Sequence, residues 1–305
     1  MNFNCPPHIR IATGLLGTLL CVASTMTLAA AALVLPPIVQ PPSAEHHAGK
    51  IIWVDLVTPN LATAEKFYTG LFGWSFQDLH SGSRNFAVAM LEGRPVAGIF
   101  EGSAPSSAQR QSAWLTFIAG DVAAAKRITV AHGGKVLFEP HVYAQRGRQA
   151  VFADPQGAVF AVLASSSGDP PDLLPAPGEW IWSSLITTDP GTDAAFYQTL
   201  FGYDVFDAGG DDGAEHLILS TDEYARASVN AMPEAGSRHH PHWLNFVRVR
   251  DTVQMSARAS ALGGRVLVEP RADRHGGKVA VVADPAGAPF GLLEWVDTQS
   301  KEATP

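Results

Sequence analysis

The architecture of this chain follows from one stretch, Trp53-Val-Asp-Leu-Val-Thr-Pro-Asn60, which leads into Phe67-Tyr68 and Leu71-Phe72-Gly73-Trp74. The same pattern returns 129 residues later as Trp182-Ser-Ser-Leu-Ile-Thr-Thr-Asp189, Phe196-Tyr197 and Leu200-Phe201-Gly202-Tyr203. Further pairs keep this spacing to within one residue: Trp114 with Trp243, and Asp154-Pro155 with Asp284-Pro285. The sequence therefore predicts two tandem copies of one domain.

Within each copy, strand and helix patterns alternate in a fixed order. The branched and aromatic run Ile51 to Thr58 predicts a strand, and the apolar spacing of Leu61 to Phe72 predicts a helix. Asn60 is the expected N-cap of that helix and Gly73 ends it. Three short strands follow, and the order restarts at Trp114. The prediction is an α+β fold with two strand–helix–three-strand modules in each copy.

Composition shifts divide the chain into six segments. The apolar N-terminus precedes a proline-rich stretch, and a second Pro-, Gly- and Ser-rich stretch separates the copies. We predict a leader at 1–34, an extended linker at 35–49, domains at 50–165 and 178–297, a linker at 166–177 and a tail at 298–305.

The leader predicts the compartment. Arg10 is the only full charge before Glu45, and the apolar stretch Ile11 to Val34 ends in four alanines. This pattern is typical of a secretory signal peptide, with an uncleaved signal anchor as the alternative and a buried helix as a third interpretation. Both of the first two place the body outside the cytoplasm, periplasmic or secreted, with the membrane as a partner if the leader remains.

Composition bounds the chemistry of the body. Hydrophobic residues make up 46% of the 305 residues and charged residues 16%, which is typical of globular domains. The net charge of -8 disfavours nucleic acid as a partner. Cys5 and Cys21 both lie in the leader, so the body has no disulfide and no thiolate metal ligand. Homo-oligomers remain open.

The landmarks above, with Gly133-Gly134 and the turn Asp154-Pro-Gln-Gly157, resemble the vicinal oxygen chelate superfamily. That superfamily includes glyoxalase I, bleomycin-resistance proteins and extradiol dioxygenases. The resemblance covers residues 50–165 and 178–297. It implies two glyoxalase-like domains, in each of which paired βαβββ modules curl into an open cup. It also implies, for the metal enzymes of the group, His, Gln or Glu ligands on the first and last strands of each module.

The ligand positions that the resemblance implies do not carry metal ligands in this chain. They fall on Trp53, Leu115 and Ala161 in the first copy, and on Trp182, Leu244 and Gly291 in the second. None of these side chains binds a divalent metal. We therefore predict no cofactor, with a divalent metal held by non-standard ligands as the alternative. The candidates for that alternative are His242, Glu101 and Glu234.

Strand alternation predicts which side chains face a ligand. Trp53 and Asp55 share one face of the first strand, and Trp182 and Ser184 share the corresponding face in the second copy. The remaining candidates on this face are His242, Leu244 and Phe246. An aromatic floor with a few polar groups suits a small, largely apolar molecule, although tryptophans also fill barrels without any ligand. Asp55 is a candidate acid or base if burial raises its pKa.

Three functions stay open at this point. The first is extracytoplasmic binding of a small molecule without a metal. The second is a metal-dependent lyase or dioxygenase of the glyoxalase type, and the third is an interaction module of the cell envelope. His242 favours the second copy as the working one, because it alone among the clustered histidines of Arg238 to His242 is expected to reach a cup.

Overall fold

The computed structural model describes residues 34–81, 84–102, 112–209, 215–232, 240–273 and 276–295. The first copy comprises β1 (Ile51–Thr58), α1 (Leu61–Phe72), β2 (Ser75–Ser81), β3 (Arg84–Leu91), β4 (Arg94–Glu101), β5 (Ala113–Ala119), α2 (Val122–Ala131), β6 (Lys135–Tyr143), β7 (Gly147–Ala153) and β8 (Val159–Ser165). The second comprises β9 (Trp180–Thr187), α3 (Pro190–Phe201), β10 (Asp204–Asp207), β11 (His216–Thr221), β12 (Tyr224–Ala231), β13 (His242–Arg248), α4 (Thr252–Ala261), β14 (Arg265–Ala272), β15 (Lys278–Ala283) and β16 (Pro289–Leu293).

Each copy forms one eight-stranded sheet. The strand order is β2-β3-β4-β1-β5-β8-β7-β6 in the first copy and β10-β11-β12-β9-β13-β16-β15-β14 in the second. Strand β1 runs parallel to β4 and antiparallel to β5, so the two βαβββ modules of a copy join along β1 and β5. The predicted α+β fold of two tandem domains is confirmed.

Helix α1 begins and ends where the sequence predicts. The Asn60 side chain accepts a hydrogen bond from the Thr63 amide at 2.8 Å, which satisfies one of the free N–H groups of the first turn. Gly73 follows the helix with a φ of 76°, a left-handed conformation that glycine adopts without a Cβ clash. The buried side chains Leu61, Phe67 and Leu71 direct one face of the helix towards the sheets.

The two copies share their hydrophobic cores. Phe67 of α1 packs with Phe290 of β16 in one cluster, and Phe160 of β8 packs with Phe196 of α3 in the other. Hydrogen bonds also connect the two copies. The Tyr197 hydroxyl of the second copy donates to Asp154 Oδ2 of the first at 3.1 Å. The helices therefore lie between the two sheets, and the opposite, concave face of each sheet is left for a cup.

The predicted extended linker at 35–49 differs in the structure. Its side chains Leu35 and Ile38 are only 1% and 3% exposed, and they pack on the concave face of the first sheet. The Ser43 amide also donates to the Ser167 carbonyl at 2.8 Å. The physical reason is that the apolar residues between the prolines gain free energy by leaving water. A proline-rich composition does not indicate whether such a segment stays in solvent or docks.

In the part of the chain that the structure describes, no helix is long and apolar enough to cross a membrane. The leader, whose apolar stretch carries the prediction of an exported or anchored protein, lies outside the described residues up to position 33.

Candidate functional site

The concave face of each sheet forms a cup, with the side-chain alternation that the sequence predicts. Cup one, on the first sheet, contains Trp53 and Asp55, whereas the intervening Val54 points into the shared core. Cup two, on the second sheet, contains Trp182 and Ser184. On β13, Leu244 pairs in register with Ser184, and Phe246 and His242 lie two residues to either side of it.

Cup one holds a buried tryptophan–aspartate pair. The Trp53 indole N–H donates to Asp55 Oδ1 at 2.7 Å, and both side chains are buried. Gly98, the β4 partner of Asp55, makes room for this carboxylate, because a Cβ at Gly98 would lie 2.1 Å from Asp55 Oδ1. Burial raises the pKa of Asp55, while Arg146 and the hydrogen bonds from Trp53 and Gly98 lower it in part. A neighbouring donor thus satisfies Asp55.

Arg146 and the N-terminal segment close cup one. The Arg146 side chain is fully buried, with its guanidinium carbon 4.6 Å from the centre of the Trp53 ring. Its Nε donates to the Pro36 carbonyl at 2.8 Å. Burial lowers the pKa of Arg146, and the nearby Asp55 opposes that shift. With Leu35 and Ile38 also in place, cup one is filled by the chain itself.

Cup two carries polar groups where cup one carries glycine and phenylalanine. By strand register, Ser228, Asn230 and His216 stand where Gly98, Phe100 and Phe86 stand in the first copy. The Trp182 indole N–H donates to Ser228 Oγ at 3.1 Å, and Ser184 Oγ lies 2.7 Å from the same oxygen. The Asn230 amide nitrogen also donates to Ser228 Oγ at 3.1 Å, and His216 Nδ1 bonds Asn230 Oδ1. We call these five side chains the polar chain.

Counting the donors and acceptors along the polar chain shows that the Ser184 hydroxyl can donate one more hydrogen bond. Ser228 Oγ accepts from both Trp182 and Asn230, which occupies its two lone pairs. Its own hydrogen therefore donates to Ser184 Oγ, and Ser184 retains its hydrogen for another acceptor. Asn230 Oδ1 accepts from His216 Nδ1, which leaves His216 Nε2 as the other nitrogen of the ring. That buried nitrogen has no partner among the described residues.

An apolar wall completes cup two. Leu244, Phe246 and Leu293 form its buried part, and Trp182 packs against them while staying partly exposed. The Phe246 ring fits because Gly291 has no side chain; a Cβ there would lie 1.9 Å from the ring. His242 lies at the start of β13 opposite Ile186, with Nδ1 2.9 Å from the His240 carbonyl. Cup two therefore combines an apolar wall with a hydrogen-bonding floor.

Of the three metal candidates, the structure describes Glu101 and His242. Glu101 lies beside the start of α1, where it accepts hydrogen bonds from the Leu61 amide and the Asn85 side chain. Glu234 lies outside the described residues. Within the ranges that the structure describes, no three His, Cys, Asp or Glu side chains form a group that could hold a metal ion. The tryptophan, leucine, alanine and glycine at the six implied ligand positions have no suitable donor atoms, so they do not fit a divalent metal.

Sequence reasoning missed Arg146 and three members of the polar chain. The alternation Ser228-Val-Asn230 within a strand was the available indication, because it puts two polar residues on the face of Ser184. Arg146 carried no such indication, since it lies in a turn whose distance from Trp53 depends on sheet curvature.

The comparisons with known proteins agree with this fold. The family model described as Glyoxalase/Bleomycin resistance protein/Dioxygenase superfamily matches residues 50–162, and the model described as Glyoxalase-like domain matches residues 183–293. "Putative glyoxylase CFP32" of Mycobacterium bovis is 30% identical over 257 residues, which are 83% of this chain and 98% of that protein. The chain belongs to the glyoxalase/bleomycin resistance protein/dioxygenase superfamily.

Other proteins and solved structures are also similar to this chain. "Anthracycline biosynthesis protein DnrV" of Streptomyces peucetius is 31% identical over 260 residues, 81% of this chain and 93% of that protein. Among solved structures, the Mn(II)-bound glyoxalase from Novosphingobium aromaticivorans matches with a TM-score of 0.58 at 17% identity, covering 82% of this chain and 83% of the other. An extradiol ring-cleaving dioxygenase from B. fuscum matches with a TM-score of 0.59 at 12% identity, covering 89% and 78%. These structures show the shared fold.

Proposed function

We propose that the protein binds a small, largely apolar molecule in cup two, outside the cytoplasm and without the metal site of its enzyme relatives. The observation that carries the proposal is the polar chain under the partly exposed Trp182. The location rests on the leader, in which Arg10 precedes the apolar stretch Ile11 to Val34. The net charge of -8 supports a partner other than nucleic acid.

The geometry of cup two defines the ligand's chemistry. A planar apolar body suits the Trp182 face and the wall of Leu244 and Phe246. An oxygen acceptor on the ligand would take the hydrogen that Ser184 retains. The relatives named for anthracycline biosynthesis favour a planar aryl ketone as a first probe, since anthracyclines contain a quinone. We select 1,8-dihydroxyanthraquinone, which combines a flat apolar body with carbonyl oxygens.

The test is a fluorescence titration of the full chain with 1,8-dihydroxyanthraquinone. Ser184→Ala should weaken binding by about fivefold, because one hydrogen bond contributes roughly 1 kcal/mol. The matched control is Ser183→Ala, since Ser183 is equally buried but bonds Asn245 Oδ1 at 2.6 Å on the opposite face. Trp182→Leu should weaken binding by tenfold or more. Equal affinities of the unmodified chain and the three variants for the probe would contradict the proposal.

Metal content is the second arm of the test. The full chain, purified without chelator, is measured by elemental mass spectrometry before and after incubation with manganese, iron, zinc and nickel. The proposal expects probe binding that is unchanged by these metals. A near-stoichiometric metal that is lost in His242→Ala would instead favour a metal-dependent lyase or dioxygenase.

A further inference from the structure

Cup one has an occupant, which is a segment of the chain itself. Leu35 and Ile38 pack with Trp53, Phe86 and Phe117 in one buried cluster. The segment is apolar and contains Pro36 and Pro37, which hold its backbone extended before it docks. This is the arrangement in which an extended peptide lies in a groove lined by aromatic side chains.

Arg146 recognises the backbone of that segment. Its Nε donates to the Pro36 carbonyl, and its guanidinium stacks over Trp53. The two terminal nitrogens of Arg146 are buried and have no hydrogen-bond partner among the described residues. Such groups are costly to bury, so they indicate a side chain built for acceptors that lie inside the cup. The neighbouring Asp55 balances the charge of Arg146, which favours a neutral carbonyl as the acceptor.

Among the described residues, the apolar cluster of cup two contains no segment that corresponds to residues 35–38. The residues 129 positions after Leu35 and Ile38 are Ala164 and Ser167, which belong to β8 and to the linker between the copies. Gly147 and Gly277 are equivalent positions, because each lies close to a backbone carbonyl at the end of the last strand of its copy, Ala164 and Glu294 respectively. The residue before each glycine is Arg146 in the first copy and Gly276 in the second. In the part of the chain that the structure describes, the occupant and the arginine that bonds it are therefore found in cup one.

The segment is attached next to cup one independently of its apolar contacts. Ser43 donates its amide to the Ser167 carbonyl and its hydroxyl to the Asp169 carbonyl at 2.7 Å. This anchor keeps residues 34–39 close to the cup when they leave it, so that they rebind as an intramolecular ligand. An external ligand must compete with that high effective concentration.

We propose that cup one is a peptide-binding site for extended, apolar, proline-containing segments, and that residues 35–38 occupy it in cis. The recognition elements are the aromatic floor around Trp53 and the Arg146 donor to a backbone carbonyl. An equivalent segment of another polypeptide fits the same site when the intramolecular one is released. This site is separate from the small-molecule site in cup two.

The test uses the full chain and a blocked hexapeptide with the sequence of residues 34–39, measured by titration calorimetry. Leu35→Ser with Ile38→Ser should release the intramolecular segment and bind the peptide at least tenfold more tightly than the unmodified chain. Val34→Ser is the matched control, because Val34 is 56% exposed and should leave the site occupied. Adding Arg146→Met to the released variant should weaken peptide binding by roughly tenfold.

Each contrary result has a distinct meaning. A folded double variant that does not bind the peptide overturns the proposal, and so does equal binding by the unmodified chain and the double variant. Trp182→Leu changes cup two and should leave peptide binding to cup one unchanged. The peptide experiment therefore tests cup one independently of the function proposed for cup two. If the double variant does not fold, hydrogen exchange of the unmodified chain decides. Excess peptide should accelerate exchange of the Val39 amide, which bonds Ser167 Oγ, and unchanged exchange overturns the proposal.

Discussion

At the scale of single residues, Gly98 provides the space that the buried Asp55 carboxylate of cup one occupies. A Cβ at this position would lie 2.1 Å from Asp55 Oδ1 and 2.9 Å from Phe86 Cε2. Gly98→Ala should therefore lower the free energy of unfolding by about 2 kcal/mol, because a filled interior tolerates an added methyl poorly. Chemical denaturation measures the loss. Gly102→Ala is the control and should leave the free energy of unfolding almost unchanged, since a Cβ at Gly102 would have its nearest neighbour at 3.7 Å. An equal loss of stability in both variants would contradict this explanation.

Asp193 gives a second prediction at the residue scale. Its side chain is fully buried, and neither carboxylate oxygen has a hydrogen-bond partner among the described residues. Burial raises the pKa of Asp193 to about 7, and the nearby Thr187 and Gln156, which lie outside hydrogen-bonding geometry with it, lower the pKa only in part. Because the folded chain binds this proton more tightly than the unfolded one, its contribution to stability is complete below pH 4 and is lost as pH rises through 7.

Asp193→Asn should remove that pH dependence. The variant is expected to be more stable than the parent by about 2 kcal/mol at pH 8 and to show little gain at pH 4. Urea denaturation across this range is the measurement. Asp204→Asn on β10, which is exposed, controls for the loss of one negative charge. A gain that is constant with pH would show that ionisation of Asp193 is not the cause.

At the scale of elements, Gln156 connects the turn before β8 to the start of α3. The related turn before β16 has no glutamine. Gln156 Oε1 accepts from Thr187 Oγ1 at 3.0 Å and from Thr188 Oγ1 at 2.6 Å, and its Nε2 donates to the Asp189 carbonyl. The related turn carries Ala286, and a cavity of about 210 Å³ lies there. Ala286 stands 130 residues after Gln156, so a glutamine at this position would extend into the cavity.

Ala286→Gln should occupy part of this cavity and form hydrogen bonds there that correspond to those of Gln156. The new side chain would meet Thr58 and the backbone of Asn60, which line the cavity. We expect a gain of about 1 kcal/mol in the free energy of unfolding, because one or two hydrogen bonds are added at little strain. The reciprocal change Gln156→Ala should destabilise by a similar or larger amount. A loss of stability in Ala286→Gln, measured by thermal denaturation, would contradict the proposed equivalence.

The elements themselves were largely predictable. The bounds of β1 and α1 follow from periodicity and capping, because those patterns depend only on neighbours in the sequence. The cup side chains Trp53 and Trp182 followed from strand alternation. The docking of Leu35 and the burial of Arg146 did not, because both depend on contacts between distant segments. A proline-rich segment has the same composition whether it is solvated or buried.

At the scale of the whole molecule, the cores cross between the copies. The Tyr68 and Phe290 rings lie 5.8 Å apart, and Trp114 of the first copy meets Trp180 of the second at 4.8 Å. Thr116 also donates to Asn245 Oδ1 at 3.0 Å between the central strands of the two sheets. Neither copy has a complete core without the other. The repeat alone cannot reveal this, since the same offset would result from two independent domains.

Shared cores predict that the two copies unfold as one unit. Val88 is buried in cup one, in a cluster whose members all precede the second copy, so Val88→Ala removes contacts from the first copy only. The substitution should cost about 2 kcal/mol. Because unfolding the first copy exposes the core side chains of the second, this loss should appear equally in both copies. Hydrogen exchange followed by mass spectrometry separates β3 and β8 peptides from β11 and β16 peptides. If only the first-copy peptides exchange faster, the copies are independent; equal acceleration identifies the crossed cores as the source of cooperativity.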